Sequence, residues 1–120
     1  MPDTPVRAGP LAPYKILDLC TDSGWLCGKW LADLGAQILK VEPPGGDNGH
    51  NEGSLAGQQA TRNDDLRRRF MNQGKQSITL NLETEAGRDI FKLLVKEADA
   101  VIESFPTGWL GERGIDYKEL

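Results

Sequence analysis

Residues 14–44 constrain the fold most, because they read as a strand, a helix and a second strand separated by turn signals. The first apolar run, residues 16–20, is broken only by Asp18, as expected for a strand that is covered on both faces of a sheet. A second strand is predicted over residues 38–41, and Pro43 and Pro44 end it. Two such strands joined by a helix form a βαβ unit, which is almost always right-handed.

The helix between these strands is predicted to bury one apolar side. Asp22 or Ser23 is expected to cap its start, and Gly35 to adopt the left-handed conformation that ends it. The predicted core face is Leu26, Cys27, Trp30, Leu31 and Leu34. Both cysteines, Cys20 and Cys27, are expected to be buried, reduced thiols. The sequence has no zinc pattern, so no metal site is expected.

The second half of the chain continues the alternation of strands and helices. A long polar segment, residues 45–69, is expected to be either mobile or a functional loop, with room for a short helix near residues 54–66. A strand follows, with Ile78, Leu80 and Leu82 facing the core. A helix capped by Thr84, a strand at 101–103 and a short helix at 107–112 come after it. The core face of the capped helix is predicted to be Ile90, Phe91, Leu94, Val95 and Ala98. The fold class is therefore α/β: a Rossmann-like parallel sheet with helices on both faces.

Domain limits and composition narrow the possible functions. Residues 1–12 are Pro-rich and predicted to be a flexible lead, and residues 13–120 to form the domain. The chain stops in what reads as the first turn of a helix after Asp116, so we expect a truncated portion of a longer protein. A net charge of −4 argues against a nucleic-acid binder. No apolar run is long enough to cross a membrane and no signal core precedes the domain, so a cytoplasmic protein is expected.

Three local features are candidates for chemistry, and each has an ordinary structural alternative. The turn at residues 21–24 lies at the carboxyl end of the first strand, where α/β sheets usually bind ligands, but it lacks the Gly-rich dinucleotide pattern. Glu42 is placed to hold a ribose hydroxyl or to be a solvated charge. A basic cluster could meet phosphates or form a solvated face; it comprises Arg62, Arg67, Arg68, Arg69 and Lys75. No acid–base pair or nucleophile motif is evident.

Five segments of the chain resemble one family in order and spacing. They are L-D-L at 17–19, A-D-L-G-A at 32–36, I-L-K-V-E-P-P-G-G-D at 38–47, F-M-N-Q-G-K-Q-S-I-T-L-N-L-E-T-E-A-G-R at 70–88 and A-D-A-V-I-E-S-F-P-T-G at 98–108. The chain thereby resembles the N-terminal portion of the family III CoA-transferases, which include formyl-CoA transferase, carnitine CoA-transferase and α-methylacyl-CoA racemase. The resemblance covers residues 11–120.

The resemblance implies an activity, a substrate and a partner. Transferases of this family move CoA between carboxylic acids through an aspartate that lies downstream of this region, so no catalytic residue is expected here. The full-length protein is expected to be an interlocked homodimer that binds CoA thioesters. Two alternatives stay open: a degenerate, non-catalytic half that serves as a scaffold or dimerisation element, and an acyl-CoA racemase of the same family.

Position by position, the resemblance assigns nine residues to the nucleotide end of CoA. Backbone groups around Leu80 and Glu83 are expected to pair with an adenine edge, and Phe105 to contact the adenosine. The nine are Thr21, Asp22, Ser23, Pro43, Leu80, Glu83, Ser104, Phe105 and Glu112. The family often has Arg or Lys near Pro43, Glu83 and Glu112. Either residues 67–69 and Lys75 supply the missing positive charge, or CoA binding in this region is weak or lost.

Overall fold

A four-stranded, all-parallel sheet is the centre of the structure, a computed structural model that describes residues 9–46 and 61–120. The strands are β1 (Lys15–Asp18), β2 (Gln37–Glu42), β3 (Gln76–Thr79) and β4 (Ala100–Ile102). Their spatial order is β3-β2-β1-β4, with Leu17 paired to Leu39 on one side and to Val101 on the other. The predicted α/β class with a parallel sheet is confirmed.

Four α-helices accompany the strands within the described ranges. They are α1 (Trp25–Asp33), α2 (Thr61–Met71), α3 (Glu85–Lys96) and α4 (Trp109–Glu112). None of these helices is long and apolar enough to cross a membrane. The short helix predicted within 54–66 corresponds only in part to α2, which extends to Met71; residues 54–60 lie outside the described ranges.

Side chains alternate along the strands and so build a separate core on each face of the sheet. On one face, Leu17, Val41 and Phe91 belong to a cluster that joins the sheet to α3. On the other face, Ile16, Ile38 and Ala32 belong to a smaller cluster under α1. Helices therefore cover both faces, as predicted.

The predicted core face of α1 is wrong except at Leu31, which packs against the cluster under the helix. Its buried residues are Trp25, Gly28, Lys29 and Ala32, whereas Leu26, Cys27, Trp30 and Leu34 are exposed. Small side chains at positions 28 and 32 let the helix lie close to the sheet. The helix begins one or two residues later than expected, after a 3-10 turn at Asp22–Gly24, and its N-cap Gly24 provides no side-chain cap. The predicted left-handed Gly35 is confirmed, with φ of 105°.

A buried ion pair explains why α1 turns its small residues inward. Asp18 is 0% exposed, and its Oδ2 lies 2.8 Å from Nζ of Lys75. Lys75 Nζ also donates hydrogen bonds to the Trp25 carbonyl at 3.0 Å and to Asn72 Oδ1 at 2.9 Å. A Cβ on Gly28 would lie 2.5 Å from Asp18 Oδ2 and 2.9 Å from Lys75 Nζ. Position 28 therefore has room only for glycine while this pair is in place.

The prediction for α3 is confirmed in most respects. The Thr84 side chain caps the helix by accepting a hydrogen bond from the Gly87 N–H at 3.0 Å. Phe91 is fully buried, and Leu94, Val95 and Ala98 pack against the same cluster. Ile90 differs from the prediction, because it is 48% exposed and lies at the edge of the buried stripe.

The remaining differences from the prediction concern boundaries. β3 ends at Thr79, so Leu80 and Leu82 follow the strand, although both are buried in the core as expected. Leu11 lies in the predicted flexible lead, yet its N–H donates to the Leu34 carbonyl and its side chain packs on the cluster under α1. The strand predicted over residues 101–103 is β4, which ends one residue earlier, at Ile102, and the short helix predicted from residue 107 begins at Trp109.

We expect Lys75→Met to reduce the free energy of unfolding by about 3–5 kcal/mol, because it leaves the Asp18 carboxylate buried without a counter-charge. Urea denaturation followed by circular dichroism measures the change. Lys92→Met on the exposed side of α3 is the matched control and should stay within about 0.5 kcal/mol of the native chain. Equal effects of the two substitutions would show that the buried pair does not contribute to stability.

Candidate functional site

The carboxyl ends of the four parallel strands meet at one edge of the sheet, and most of the predicted site residues lie there. The segments that leave β1 and β4 are joined at this edge. The Thr21 N–H donates to Ser104 Oγ at 2.8 Å, and the two hydroxyl oxygens are 3.1 Å apart. Asp22 is half-buried and Ser23 is exposed in the 3-10 turn that follows. The structure thus brings Thr21 and Ser104 together, 83 positions apart in sequence.

This junction is tightly packed and its thiol is hard to ionise. A Cβ on Gly24 would lie 2.6 Å from Cys20 Sγ and 3.3 Å from Ser104 Cβ. The Cys20 N–H donates to Asp18 Oδ1 at 2.8 Å, so the buried carboxylate also fixes the start of the turn. Burial, and secondarily the negative charge of Asp18, raise the pKa of Cys20 from 9.0 to about 12. Cys20 is therefore a packing residue and not a nucleophile at neutral pH.

A second cluster lies beside the first and contains three of the predicted residues. The rings of Phe105 and Trp109 stack with centroids 4.1 Å apart and planes inclined by 16°. The Arg113 guanidinium carbon lies 3.5 Å from the centre of the Trp109 ring. Arg113 Nε donates to Glu83 Oε1 at 2.5 Å, and Glu112 Oε2 lies 3.8 Å from Arg113 Nη1. Glu83, Phe105 and Glu112 therefore all lie near one arginine.

The Arg113 guanidinium beside Glu83 holds the pKa of that carboxyl below its usual 4.5. The hydrogen bond is the main cause, and the positive charges of Arg113 and Arg88 add to it. Because the pKa is lowered, Glu83 is ionised in the folded chain throughout the neutral range. The ion pair is lost only as the pH falls through the lowered pKa.

Two of the predicted residues are less available to a ligand than expected. Leu80 is buried in the core, and its N–H donates to the Glu42 carbonyl at 2.8 Å. The Glu83 N–H donates to Asn81 Oδ1 at 3.0 Å. An adenine edge at this place would have to pair with other backbone groups of the segment. Pro43 is exposed and begins the turn that follows β2.

The basic cluster predicted from the sequence does not act as a unit. Lys75 is buried against Asp18 and is committed to that pair. The Arg67 guanidinium lies 5.3 Å from the centre of the Trp25 ring. Lys40 Nζ lies at the same distance from the centre of that ring. The side chain of Arg62 is outside the described part of the structure. Lys75 is therefore not available to supply the missing charge together with residues 67–69, and compensation by those three arginines stays a prediction.

A cavity of about 150 Å³ lies at the opposite edge of the sheet. Lys15, Gln37 and Gln76, which begin β1, β2 and β3, line it together with residues from the end of α3. None of the predicted site residues contributes to it. In residues 9–46 and 61–120, no three His, Cys, Asp or Glu side chains are grouped as metal ligands.

The model of one protein family, CoA-transferase family III, matches residues 11–120. The chain belongs to this family. The resemblance that the sequence motifs indicated is thereby confirmed, as is the expected fold.

Curated members of CoA-transferase family III are similar over nearly the whole chain. An acetyl-CoA:oxalate CoA-transferase from Acetobacter aceti is 43% identical over 120 residues, which cover 98% of this chain and 30% of that protein. A succinate–glutarate CoA-transferase from Agrobacterium fabrum is 36% identical over 125 residues, covering 100% of this chain and 31% of that protein. The chain therefore spans about three tenths of the length of these relatives.

Solved structures of family III proteins show the same fold. A CAIB/BAIF family protein from Brucella suis is 37% identical and superimposes with a TM-score of 0.78, covering 92% of this chain and 30% of that one. A hypothetical protein from Mycobacterium tuberculosis is 34% identical, with a TM-score of 0.77 over 95% of this chain and 30% of that one.

The sequence reasoning missed two residues of this family III chain that lie at the candidate site, Trp109 and Arg113. Trp109 begins α4 and Arg113 follows its last residue, so these two are four positions apart across the helix, whereas Phe105 precedes it. That spacing was a usable signal. The partner of Arg113 was not recognisable, because Glu83 lies 30 residues earlier.

We expect the two thiols of the chain to react at very different rates with a disulfide reagent at pH 8. Cys27 is exposed, contrary to the sequence prediction, and should react within minutes. Cys20 is buried, and its raised pKa lowers the thiolate fraction by about a thousandfold relative to an ordinary thiol. It should react only on unfolding.

Absorbance of the released thiol measures both phases, and Cys27→Ser should abolish the fast one alone. A native chain with two equally fast thiols would contradict the buried position of Cys20.

Proposed function

We propose that this chain supplies the nucleotide-binding end of a CoA site in a CoA-transferase, which moves CoA between carboxylic acids. The observation that carries the proposal is the match to CoA-transferase family III over residues 11–120. The candidate residues at the carboxyl edge of the sheet support it, since that edge is where α/β sheets usually bind nucleotide-like ligands.

The ligand in this proposal is the adenosine and phosphate portion of CoA or of a CoA thioester. Thr21 and Ser104 hold two segments of the edge in place, and Phe105 offers apolar surface to the adenosine. The same edge also carries Asp22 and Ser23 after β1, Pro43 after β2, and the segment from Leu80 to Glu83 after β3. No metal is required by the arrangement.

The chemistry in this proposal belongs to the longer protein. Its aspartate lies downstream of residue 120, so this chain binds and orients CoA but does not react with it. The domain begins near residue 13 and is completed by further chain, the protein is cytoplasmic, and two copies interlock as a homodimer. Transfer is preferred over racemisation because the curated relatives described above are named as CoA-transferases.

A scaffold or dimerisation role is the second candidate, and one observation favours it. The side chains of Trp30, Leu34, Phe70 and Leu93 are 47–62% exposed. Apolar side chains on helix surfaces are typical of regions that another chain or a further segment covers. The two roles predict different responses to CoA.

We expect millimolar CoA to raise the unfolding temperature of this chain in differential scanning fluorimetry, because a ligand that binds only the folded state stabilises it. At ten times the Kd, the stabilisation is about 1.4 kcal/mol. Ser104→Ala, which removes the acceptor of the Thr21 N–H, should weaken CoA binding about three- to tenfold.

Thr107→Ala is the control for this measurement, because Thr107 is exposed three residues away. Isothermal titration calorimetry gives the affinities directly. Absence of both heat and a thermal shift at millimolar CoA would favour the scaffold role and contradict the binding proposal.

A further inference from the structure

Arg113 is held in one orientation by contacts on several sides. Its guanidinium lies on the Trp109 ring, whose stacking partner is Phe105, so the three side chains form one column. Arg113 Nη1 donates to the Trp109 carbonyl at 2.8 Å. Its side chain is only 19% exposed. An arginine fixed in this way loses little further conformational entropy when it binds a ligand.

The hydrogen bonds of Arg113 leave part of its guanidinium unused. Nε and Nη1 have the partners given above, and among the described residues Nη2 has none. The planar guanidinium presents parallel N–H groups that suit phosphate and carboxylate oxygens. Only one of these N–H groups, at Nε, donates to Glu83, and it does so to a single carboxylate oxygen, Oε1.

Glu83 is the more exposed side of this pair. Its side chain is 61% exposed, whereas that of Arg113 is 19% exposed. Its backbone is fixed by the bond to Asn81 Oδ1, so the carboxylate can swing away without disturbing the turn. The nearest other charges are Arg88, which donates to the Leu82 carbonyl, and Glu112, at 3.8 Å from Arg113. A carboxylate this exposed is easily replaced by a better anion.

Three other cations of the described residues are engaged elsewhere. Lys75 is buried against Asp18, and the largely buried Lys29 binds Asp33 at 2.8 Å one turn further along α1. Arg88 points to the Leu82 carbonyl. Arg113 is adjacent to Glu112 in sequence and contacts Glu83, two of the three positions where a positive charge was expected and is missing.

We propose that Arg113 receives a phosphate group of CoA, and that Glu83 is its resident competitor, which the phosphate displaces from the guanidinium. This inference rests on the proposed function, because it assigns the phosphate-binding residue of that same site. It makes Glu83 a determinant of affinity: the carboxylate neutralises the cation in the free chain and must be expelled when the ligand binds. The acids at positions 83 and 112 then weaken CoA binding without abolishing it.

The test measures CoA affinity by isothermal titration calorimetry in matched variants. Arg113→Gln should weaken binding about tenfold or more, because a charge-assisted hydrogen bond is lost. Glu83→Gln should tighten binding about three- to tenfold, because the competitor loses its charge. Glu85→Gln and Lys92→Gln change the charge by the same amounts at exposed sites nearby and should each alter the affinity less than twofold.

Two further ligands separate the phosphate contact from the rest of CoA. Pantetheine, which has no phosphate, should bind all variants alike. Inorganic pyrophosphate should bind more weakly than CoA but show the same order of affinities: Glu83→Gln, then the native chain, then Arg113→Gln. Near-ultraviolet circular dichroism of the Trp109 environment checks that Arg113→Gln is folded, and Glu83→Gln tests the proposal with Arg113 intact.

The pKa of Glu83, measured by carboxyl carbon NMR, tests the contact between Glu83 and Arg113 independently of ligand affinity. This pKa is held low by Arg113 and secondarily by Arg88. Saturating pyrophosphate should raise this pKa toward its ordinary value, because the phosphate takes the guanidinium. Arg113→Gln should raise it in the absence of any ligand.

Each outcome separates this inference from the proposed function. If CoA binds the native chain and all variants alike, the CoA site stands and the role of Arg113 is wrong. If CoA fails to bind but pyrophosphate shows the expected order, the phosphate contact stands and the CoA site is wrong. If Glu83→Gln and Glu85→Gln have equal effects on both ligands, the competition between Glu83 and phosphate is overturned.

Discussion

The buried contact between Asp18 and Lys75 determines how the elements of this domain can meet. Asp18 is fully buried and lies on the sheet face that α1 covers, and Lys75 reaches it from the turn before β3. Leaving either charge buried alone costs several kcal/mol, so the two segments must come together for the domain to fold. The requirement for glycine at position 28 follows, because a side chain there would push α1 off the pair.

The same pair connects the core to the candidate site. One oxygen of Asp18 faces Lys75, and the other accepts the Cys20 N–H at the first residue of the turn. Lys75 also binds the Trp25 carbonyl where α1 begins. The turn between these two points is therefore anchored at both ends, and it presents Thr21 to Ser104 on the neighbouring segment. Binding groups that are fixed in advance need not be ordered by the ligand.

The sequence predicted best those elements whose buried face follows from the local spacing of apolar residues alone. The helix α3 has a cap at Thr84 and a regular apolar stripe, and both were predicted from local spacing. For α1 the local pattern was misleading. The Asp18–Lys75 pair lies beneath the helix, so the helix turns its small residues, Gly28 and Ala32, toward the sheet and leaves most of its large apolar side chains exposed. Lys75 looked like part of a solvated basic cluster for the same reason: its partner lies 57 positions earlier, as the numbering of Asp18 and Lys75 shows.

Family motifs indicated which segments meet at the carboxyl edge of the sheet better than they indicated the charges there. They placed Thr21 and Ser104 at one edge, but they gave no sign that Arg113 pairs with Glu83. The alternation of strands and helices predicted the sheet, whereas the contacts between segments that are distant in sequence required the structure. Those contacts fix the turn, the position of Phe105 and the guanidinium of Arg113 beside Glu83.

The proposed function requires CoA to bind at the carboxyl edge of the sheet. Backbone amide chemical-shift mapping of the isotopically labelled chain with CoA tests this requirement. We expect the largest shifts at Thr21, Ser104 and Phe105, while Lys15, Gln37 and Gln76 at the opposite edge stay unchanged. Shifts concentrated at those three amino-edge residues, or spread evenly over the chain, would contradict it.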